Sequence, residues 1–319
     1  MAKVLVTGGA GFIGSSVARK CVRNGHEVVI LDNLSSSSTK VLEHLESLGA
    51  IVVIGDIRDP DIVQRAMRGC DAVIHLAAQI SVPASVENPQ ENYSINVEGT
   101  QLILNYCKQF DVRRVVIASS AAVYGREGRL PLREESAGDL LSPYAQSKWN
   151  NEQQIIASRL NGQNAVALRI FNVYGPGQRA DGGYAAVIPK FIDMMVNGEA
   201  PIINGDGLHT RDFVHVNDVC SAIFALIEGE WQAGKYHVYN IATQTKISLL
   251  DLIEAINNTL IKTQNGFVPI VPTHGPERVG DIRHSMANIE RIQTTLGWKP
   301  VVVFEDGIEE IVRERLSLK

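Results

Sequence analysis

Tyr144 and Lys148 stand four residues apart in the stretch Ser142-Pro143-Tyr144-Ala145-Gln146-Ser147-Lys148. The stretch reads as the first turn of a helix, and at that spacing both side chains lie on one helix face. A phenol normally loses its proton near pH ~10. A neighbouring ammonium favours the phenolate, which would make the oxygen usable as a base near neutrality. The pattern is short, and a surface Tyr and Lys on an ordinary helix would share it. What the pair can do depends on the elements that position it.

The first of these is near the start of the chain. Residues 3–7 form a short β-branched run, followed by Gly8-Gly9-Ala10-Gly11-Phe12-Ile13-Gly14 and then a helical pattern through Val17 and Cys21. Strand, glycine turn and helix together make the context of a dinucleotide fingerprint. Glycines let the backbone approach a pyrophosphate, and the helix N-terminus supplies unpaired N–H groups to hold it. Two registers fit, Gly8/Gly11/Gly14 and Gly9/Gly11/Gly14. The next strand, 27–31, ends in Asp32, whose carboxylate would accept from both ribose hydroxyls and repel a 2'-phosphate. That favours NAD over NADP.

Further apolar runs, 51–54, 72–76 and 115–118, alternate with helical patterns and end at Gly55-Asp56, Ala77-Ala78 and Ser119-Ser120. Strands continuous in Val and Ile and separated by helices imply a parallel sheet covered on both faces. Ligands bind at the carboxyl ends of such strands, where Asp56, Ala77 and Ser120 fall. His75 lies within an apolar strand and reads as a satisfied core histidine. Helical patterns over 92–110 and 144–160 carry apolar residues at Ile95, Leu102 and Ile103, and at Trp149, Ile155 and Ile156. These could pack on the sheet or pair with their copies in a second subunit. Past Arg169 the pattern loosens into loops, where a substrate lobe would be built.

Composition sets the outer bounds. The chain has 319 residues, 45% hydrophobic and 20% charged, an ordinary globular balance with length for two lobes. No apolar run approaches the ~18 residues needed to span a membrane. Val4-Leu5-Val6 runs straight into glycines, leaving no room for a signal peptide, so a cytoplasmic protein is expected. The four cysteines are far apart and lack metal-ligand spacing, so neither disulfides nor a metal is expected. A net charge of −5 without a long basic run gives no footprint for nucleic acid.

TGGAGFIG at 7–14, Asp32-Asn33, HLAA at 75–78, SSAAVYG at 119–125, YAQSK at 144–148 and RDFVHVND at 211–218 together resemble the extended short-chain dehydrogenase/reductase family, in its sugar-nucleotide epimerase/dehydratase branch. The resemblance covers essentially the whole chain, with the motifs in the right order. It implies an α/β fold: a Rossmann doubly wound parallel sheet with a smaller C-terminal α/β substrate lobe. The expected division is an NAD-binding domain over 1–170, to which 215–243 return, and a sugar-nucleotide lobe over 171–214 and 244–319. A homodimer through a four-helix contact is also implied.

Carried over from that family, Tyr144 looks like the base that removes the sugar O4 proton, Lys148 holds the nicotinamide ribose and lowers the Tyr144 pKa, and Ser120 bonds the same oxygen. The positive charge of bound NAD would add to that of Lys148 in favouring the phenolate. NAD is expected against Gly8, Gly11, Phe12, Ile13 and Gly14, against Asp32 and Asn33, and against Asp56 and Ile57. Leu76, Ala77, Ala78 and Gln79 complete that side, with Tyr144 and Lys148. Asn172, Arg211 and Arg278 match positions that hold the nucleotide diphosphate, where bidentate arginine suits phosphate. Ile203 lies in the stretch beside the uracil, and Asp281 near the substrate. Val187 and Lys190 fall in a stretch from 184 to 190 that looks like the substrate loop of epimerases accepting N-acetylated sugars.

A 4,6-dehydratase of this branch needs an Asp-Glu pair after the active-site Ser or Thr, and a decarboxylase a Glu at the second position; this chain has Ala121-Ala122. The site is thus equipped to oxidise C4, let the ketone turn and reduce it from the other face. The expectation is a UDP-hexose 4-epimerase. Alternatives are a dehydratase whose acid/base groups lie elsewhere, and a non-catalytic NAD-binding sensor or scaffold on the same fold. In the family, the residue seven positions after the GPER-type arginine gates the sugar's C2 substituent, and a tyrosine there restricts the pocket to glucose and galactose. Here that residue is Ser285, so room for UDP-GlcNAc and UDP-GalNAc is expected, with the plain hexoses or uronic-acid forms alongside.

Overall fold

The structure is a computed structural model that describes residues 1–126, 128–180, 186–229, 235–277 and 282–318. At its centre are strands β1 (Lys3–Thr7), β2 (Glu27–Asp32), β3 (Ile51–Ile54), β4 (Ala72–His75), β5 (Arg114–Ser120) and β6 (Ala165–Ile170). With the strand Val238–Ile241 they form one seven-stranded parallel sheet, in the order Val238–Ile241, β6, β5, β4, β1, β2, β3. The order reverses between β1 and β4. This is the topological switch point, where the carboxyl ends of neighbouring strands part to leave a crevice.

Each inner strand is apolar on both faces because each face has its own helical layer. Val4, Val6, Val28 and Ile30 enter one core with the helices Phe12–Arg23 and Val216–Glu228. Leu5, Val29 and Leu31 alternate into the other, which takes Ile103 and Ile155 from the helices Gly99–Gln109 and Pro143–Leu160. A third cluster lies apart from the sheet. There Ile188, Phe191, Leu252, Ile256, Ile311 and Val312 join the helices Val187–Val196, Leu249–Thr263 and Phe304–Ser317.

The helical stretch expected over 92–110 is interrupted. It runs as Pro89–Tyr93, a π-turn Ser94–Glu98, and Gly99–Gln109. Within that turn the Asn96 carbonyl accepts from Thr100 Oγ1 at 2.6 Å and, from another helix, from Asn151 Nδ2 at 2.7 Å. A carbonyl drawn to side chains in this way leaves the regular ladder, and such bulges recur near functional sites.

Candidate active site

Glycine chemistry prepares the β1 turn for a dinucleotide. Gly8 has φ +67°, and a Cβ there would meet the Ala77 backbone nitrogen at 2.7 Å; a Cβ on Gly14 would meet the Gly8 carbonyl oxygen at 2.0 Å. The Gly8/Gly11/Gly14 register is therefore the one with the tight backbone packing. Helix Phe12–Arg23 begins with Gly11 as N-cap, has no side-chain cap and carries no acidic residue in its first turn. Its leading N–H groups thus suit a pyrophosphate. Phe12 and Ile13 are partly exposed there.

At the end of β2, Asp32 is buried, with Oδ2 accepting from the Ala10 N–H at 2.9 Å and Oδ1 from the Leu34 N–H at 2.8 Å. Each oxygen keeps a second acceptor position, so ribose hydroxyls would share the carboxylate with the loop that it shapes. Asp56 accepts from the Arg58 side chain and N–H and from the Asn33 amide, which hold its carboxyl down to about 2. The Ile57 side chain is packed into the core, which leaves only its backbone to face a cofactor. The residues present fit NAD.

Beyond β4, the Leu76 N–H donates to the Thr7 carbonyl and the Ala77 N–H to Thr7 Oγ1, with Ala78 following them in the chain. His75 is the satisfied core histidine the sequence suggested. Its Nδ1 lies 2.6 Å from Thr7 Oγ1, and its Nε2 lies 2.9 Å from Thr100 Oγ1, whose own proton goes to Asn96. Burial and the Lys148 cation push its pKa down to about 3, so the ring is neutral.

Tyr144 and Lys148 lie in the first two turns of helix Pro143–Leu160, which starts with Ser142 accepting from the Ala145 N–H at 3.1 Å. The Ser120 hydroxyl lies on the Tyr144 phenol's side of the site, near enough to act on its ionisation. The Lys148 ammonium is buried, donates to the Ala118 carbonyl at 2.9 Å and lies 5.9 Å from the centre of the Tyr144 ring. One expectation changes here. Burial raises the Tyr144 pKa, opposed by the Ser120 hydroxyl, while burial pushes Lys148 down to about 8. Without cofactor the phenol therefore keeps its proton at neutral pH. Lys148 points at a carbonyl rather than at the phenol oxygen, which is why spacing alone overstated its effect.

The sequence reading missed a buried amide stripe. Asn92, Asn96 and Thr100 repeat every four residues and face Ser147 and Asn151, and all five are buried. Asn96 donates to Ser147 Oγ at 3.0 Å and to the Gln79 carbonyl at 2.9 Å, and its Oδ1 takes the Gln79 N–H at 2.8 Å. The Gln79 side chain is itself held by Asn92 and by the Ser81 carbonyl. Residues 82–87 form a short helix whose Ser85 hydroxyl accepts the Tyr144 N–H at 3.2 Å. The polar repeat at helical spacing was the available signal.

Facing this machinery, a cavity of about 210 Å³ is lined by Ser120, Ala121, Ala122, Ile170, Phe171, Asn172, Arg211, Ile282 and Ser285. Residues 282–287 are zipped onto the strand Thr210–Arg211. The Ser285 N–H donates to the Thr210 carbonyl at 3.1 Å, and Arg211 Nη1 donates to the Ile282 carbonyl at 2.6 Å. Buried Asp212 accepts from the Ala287 N–H at 3.0 Å and also from Thr243 and Gln244. Val187 and Lys190 lie in helix Val187–Val196, with Lys190 exposed. Ile203 is wholly buried in the third cluster, between an exposed Ile202 and a partly exposed Asn204. Arg278 and Asp281 lie outside the described residues, as do residues 184 and 185.

The profile of the NAD-dependent epimerase/dehydratase family matches residues 4–242, from the first strand to the last strand of the sheet. The chain belongs to this family. A putative UDP-glucose 4-epimerase of Methanocaldococcus jannaschii is 39% identical over 312 residues, 97% of each chain. A dTDP-glucose 4,6-dehydratase of Streptomyces niveus is 34% identical over 320 residues, 97% of this chain and 91% of the relative. Among solved structures, UDP-N-acetylglucosamine 4-epimerase from Methanobrevibacter ruminantium M1, in complex with UDP-N-acetylmuramic acid, superposes with a TM-score of 0.92 at 34% identity, covering 100% of this chain and 99% of that one. Epimerases and a dehydratase thus share its relatives, and the side chains lining the cavity must separate them. Among the described lining residues there is no carboxylate.

Proposed function

We propose that this family member is an NAD-dependent 4-epimerase of UDP-hexoses that accepts N-acetylated sugars. The observation that carries the reading is the cavity, with Ser120 and Ser285 in its wall and Ala121-Ala122 where elimination would need an acid and a base. In this reading residues 1–170 and 215–243 hold NAD, 171–214 and 244–319 hold the sugar nucleotide, and the protein works in the cytoplasm as a homodimer through the exposed sides of helices Gly99–Gln109 and Pro143–Leu160.

Tyr144 takes the O4 proton of the sugar and later returns it. Ser120 bonds the same oxygen and steadies the phenolate by donating to it. Lys148 bonds the nicotinamide ribose and supplies a nearby positive charge. Bound NAD supplies a hydride acceptor and donor at C4, together with a second positive charge. Because burial alone keeps Tyr144 protonated, the base is poised only when both charges are present. Asn172 and Arg211 bind the diphosphate with Arg278, and the hydroxyl of Ser285 lies beside the C2 substituent.

Product NMR after incubation with UDP-GlcNAc, UDP-Glc and UDP-glucuronate tests this directly. Interconversion with the 4-epimer is expected. A 4-keto-6-deoxy product would establish the dehydratase reading, and absence of turnover with every sugar would leave the binding-module reading.

A further inference from the structure

Three consecutive residues of β5 meet the catalytic helix at three successive turns. The Ala118 carbonyl accepts from Lys148 Nζ at 2.9 Å, Ser119 Oγ donates to Glu152 Oε1 at 2.5 Å, and the Ser120 hydroxyl lies near the Tyr144 phenol. Residues 144, 148 and 152 share one helix face. The first and last contacts involve Lys148, Ser120 and Tyr144, to which the proposed function gives roles; the middle one has been given none.

Glu152 is fully buried and takes both remaining bonds from Arg169, Nε to Oε1 at 2.9 Å and Nη2 to Oε2 at 2.8 Å. Arg169 is the β6 residue paired with Ser119 in the sheet register, and its Nη1 also donates to the carbonyls of Glu134 and Ser136. A buried ion pair is a poor way to gain stability, since a hydrophobic pair of equal volume would often serve as well. What an apolar pair could not do is accept the Ser119 hydroxyl. That bond fixes the end of β5 against the helix between the two contacts that matter.

We propose that Glu152 and Arg169, acting through Ser119, are positioning residues that hold Ser120 and Lys148 in register with Tyr144. Without the tether, the strand end can slide along the helix and both neighbouring contacts loosen together. Misplacement of reacting groups by about 1 Å can cost on the order of a hundredfold in rate, so partial loosening should be visible in turnover. The rate consequence rests on the epimerase reading; the effect on the phenol does not.

The discriminating variant is Ser119→Ala, because it removes the tether and leaves the Glu152–Arg169 pair intact, whereas Glu152→Gln would strand a buried guanidinium. Two measurements are made on NAD-loaded protein. One is kcat and KM for the UDP-sugar that the wild type turns over. The other is an ultraviolet titration of the Tyr144 phenolate, using Tyr144→Phe as baseline. Ser119→Ala should lower kcat about tenfold, leave KM within about twofold, and move the phenolate titration to higher pH. Ser119→Thr, which keeps the hydroxyl, should restore both. If Ser119→Ala titrates and turns over like the wild type, or if Ser119→Thr is as impaired as Ser119→Ala, the positioning role is wrong. A wild type that turns over no UDP-sugar would overturn the functional reading, while the titration would still decide the positioning.

Discussion

Around Tyr144 the polar groups are buried and multiply bonded: Lys148, Ser147, Asn151 and Glu152 on one helix all reach partners on β5, β6 or the π-turn. Across the cavity, Ser285 and Arg211 lie on pairings of only two or three residues, held mainly by backbone bonds and by buried Asp212. The first wall resists change because each side chain there satisfies several others. At Ser285 the second is set by a backbone bond to Thr210, so that side chain can be exchanged without breaking the pairing. In the proposed reading, chemistry sits on the wall where substitution is costly, and sugar choice at a position of the other where it is cheap.

The largest expected effect breaks the first wall at its one ionisable oxygen. Tyr144→Phe keeps the ring's packing and removes the proposed base, so turnover should fall by a factor of about 10² to 10⁴ while NAD still binds. Steady-state rates beside a fluorescence titration with NAD check this. Wild-type turnover by the Phe variant would move the base elsewhere.

A smaller and more selective effect is expected at the second wall. Ser285→Tyr adds an aromatic ring to the cavity, and only the larger C2 substituent should feel it. Activity on UDP-GlcNAc should drop roughly 10- to 200-fold, the range seen when a pocket loses room for a small group, with UDP-Glc nearly unchanged. Competition assays with both sugars give the ratio in one experiment. Equal loss on both would mean that Ser285 is not beside C2.

The contrast between the walls also explains what could be read from sequence. The sheet strands announce themselves because burial on both faces demands continuous Val and Ile, and the fingerprint glycines because Gly8 and Gly14 leave no space for a Cβ. Pairings of two or three residues carry no such pattern, so nothing in Ile202-Ile203-Asn204 says that Ile203 turns into a core while Ile202 is exposed. The π-turn was hidden for another reason, since its cause is Asn151, 55 residues away from Asn96. Spacing set Tyr144 and Lys148 on one helix, but the direction of the phenol's shift depends on burial, which the Ser120 hydroxyl opposes and which spacing does not contain.

The smallest predicted effect sharpens the comparison through pH. Burial pushes the Lys148 ammonium down to about 8, so the group is charged below that pH and neutral above it. If its ammonium donates to the nicotinamide ribose, the bond is present at neutral pH and weakens as pH rises through about 8. A charge-assisted bond reduced to a neutral one should cost NAD binding about fivefold. Calorimetric titrations of the wild type across that range should show the decline, and Lys148→Ala should bind more weakly and with a flat profile. The second wall offers no described lysine in the cavity lining, so UDP binding should not share this dependence. If UDP affinity falls in parallel with that of NAD, the pH effect belongs to the cleft as a whole and the ammonium has no special part in holding the cofactor.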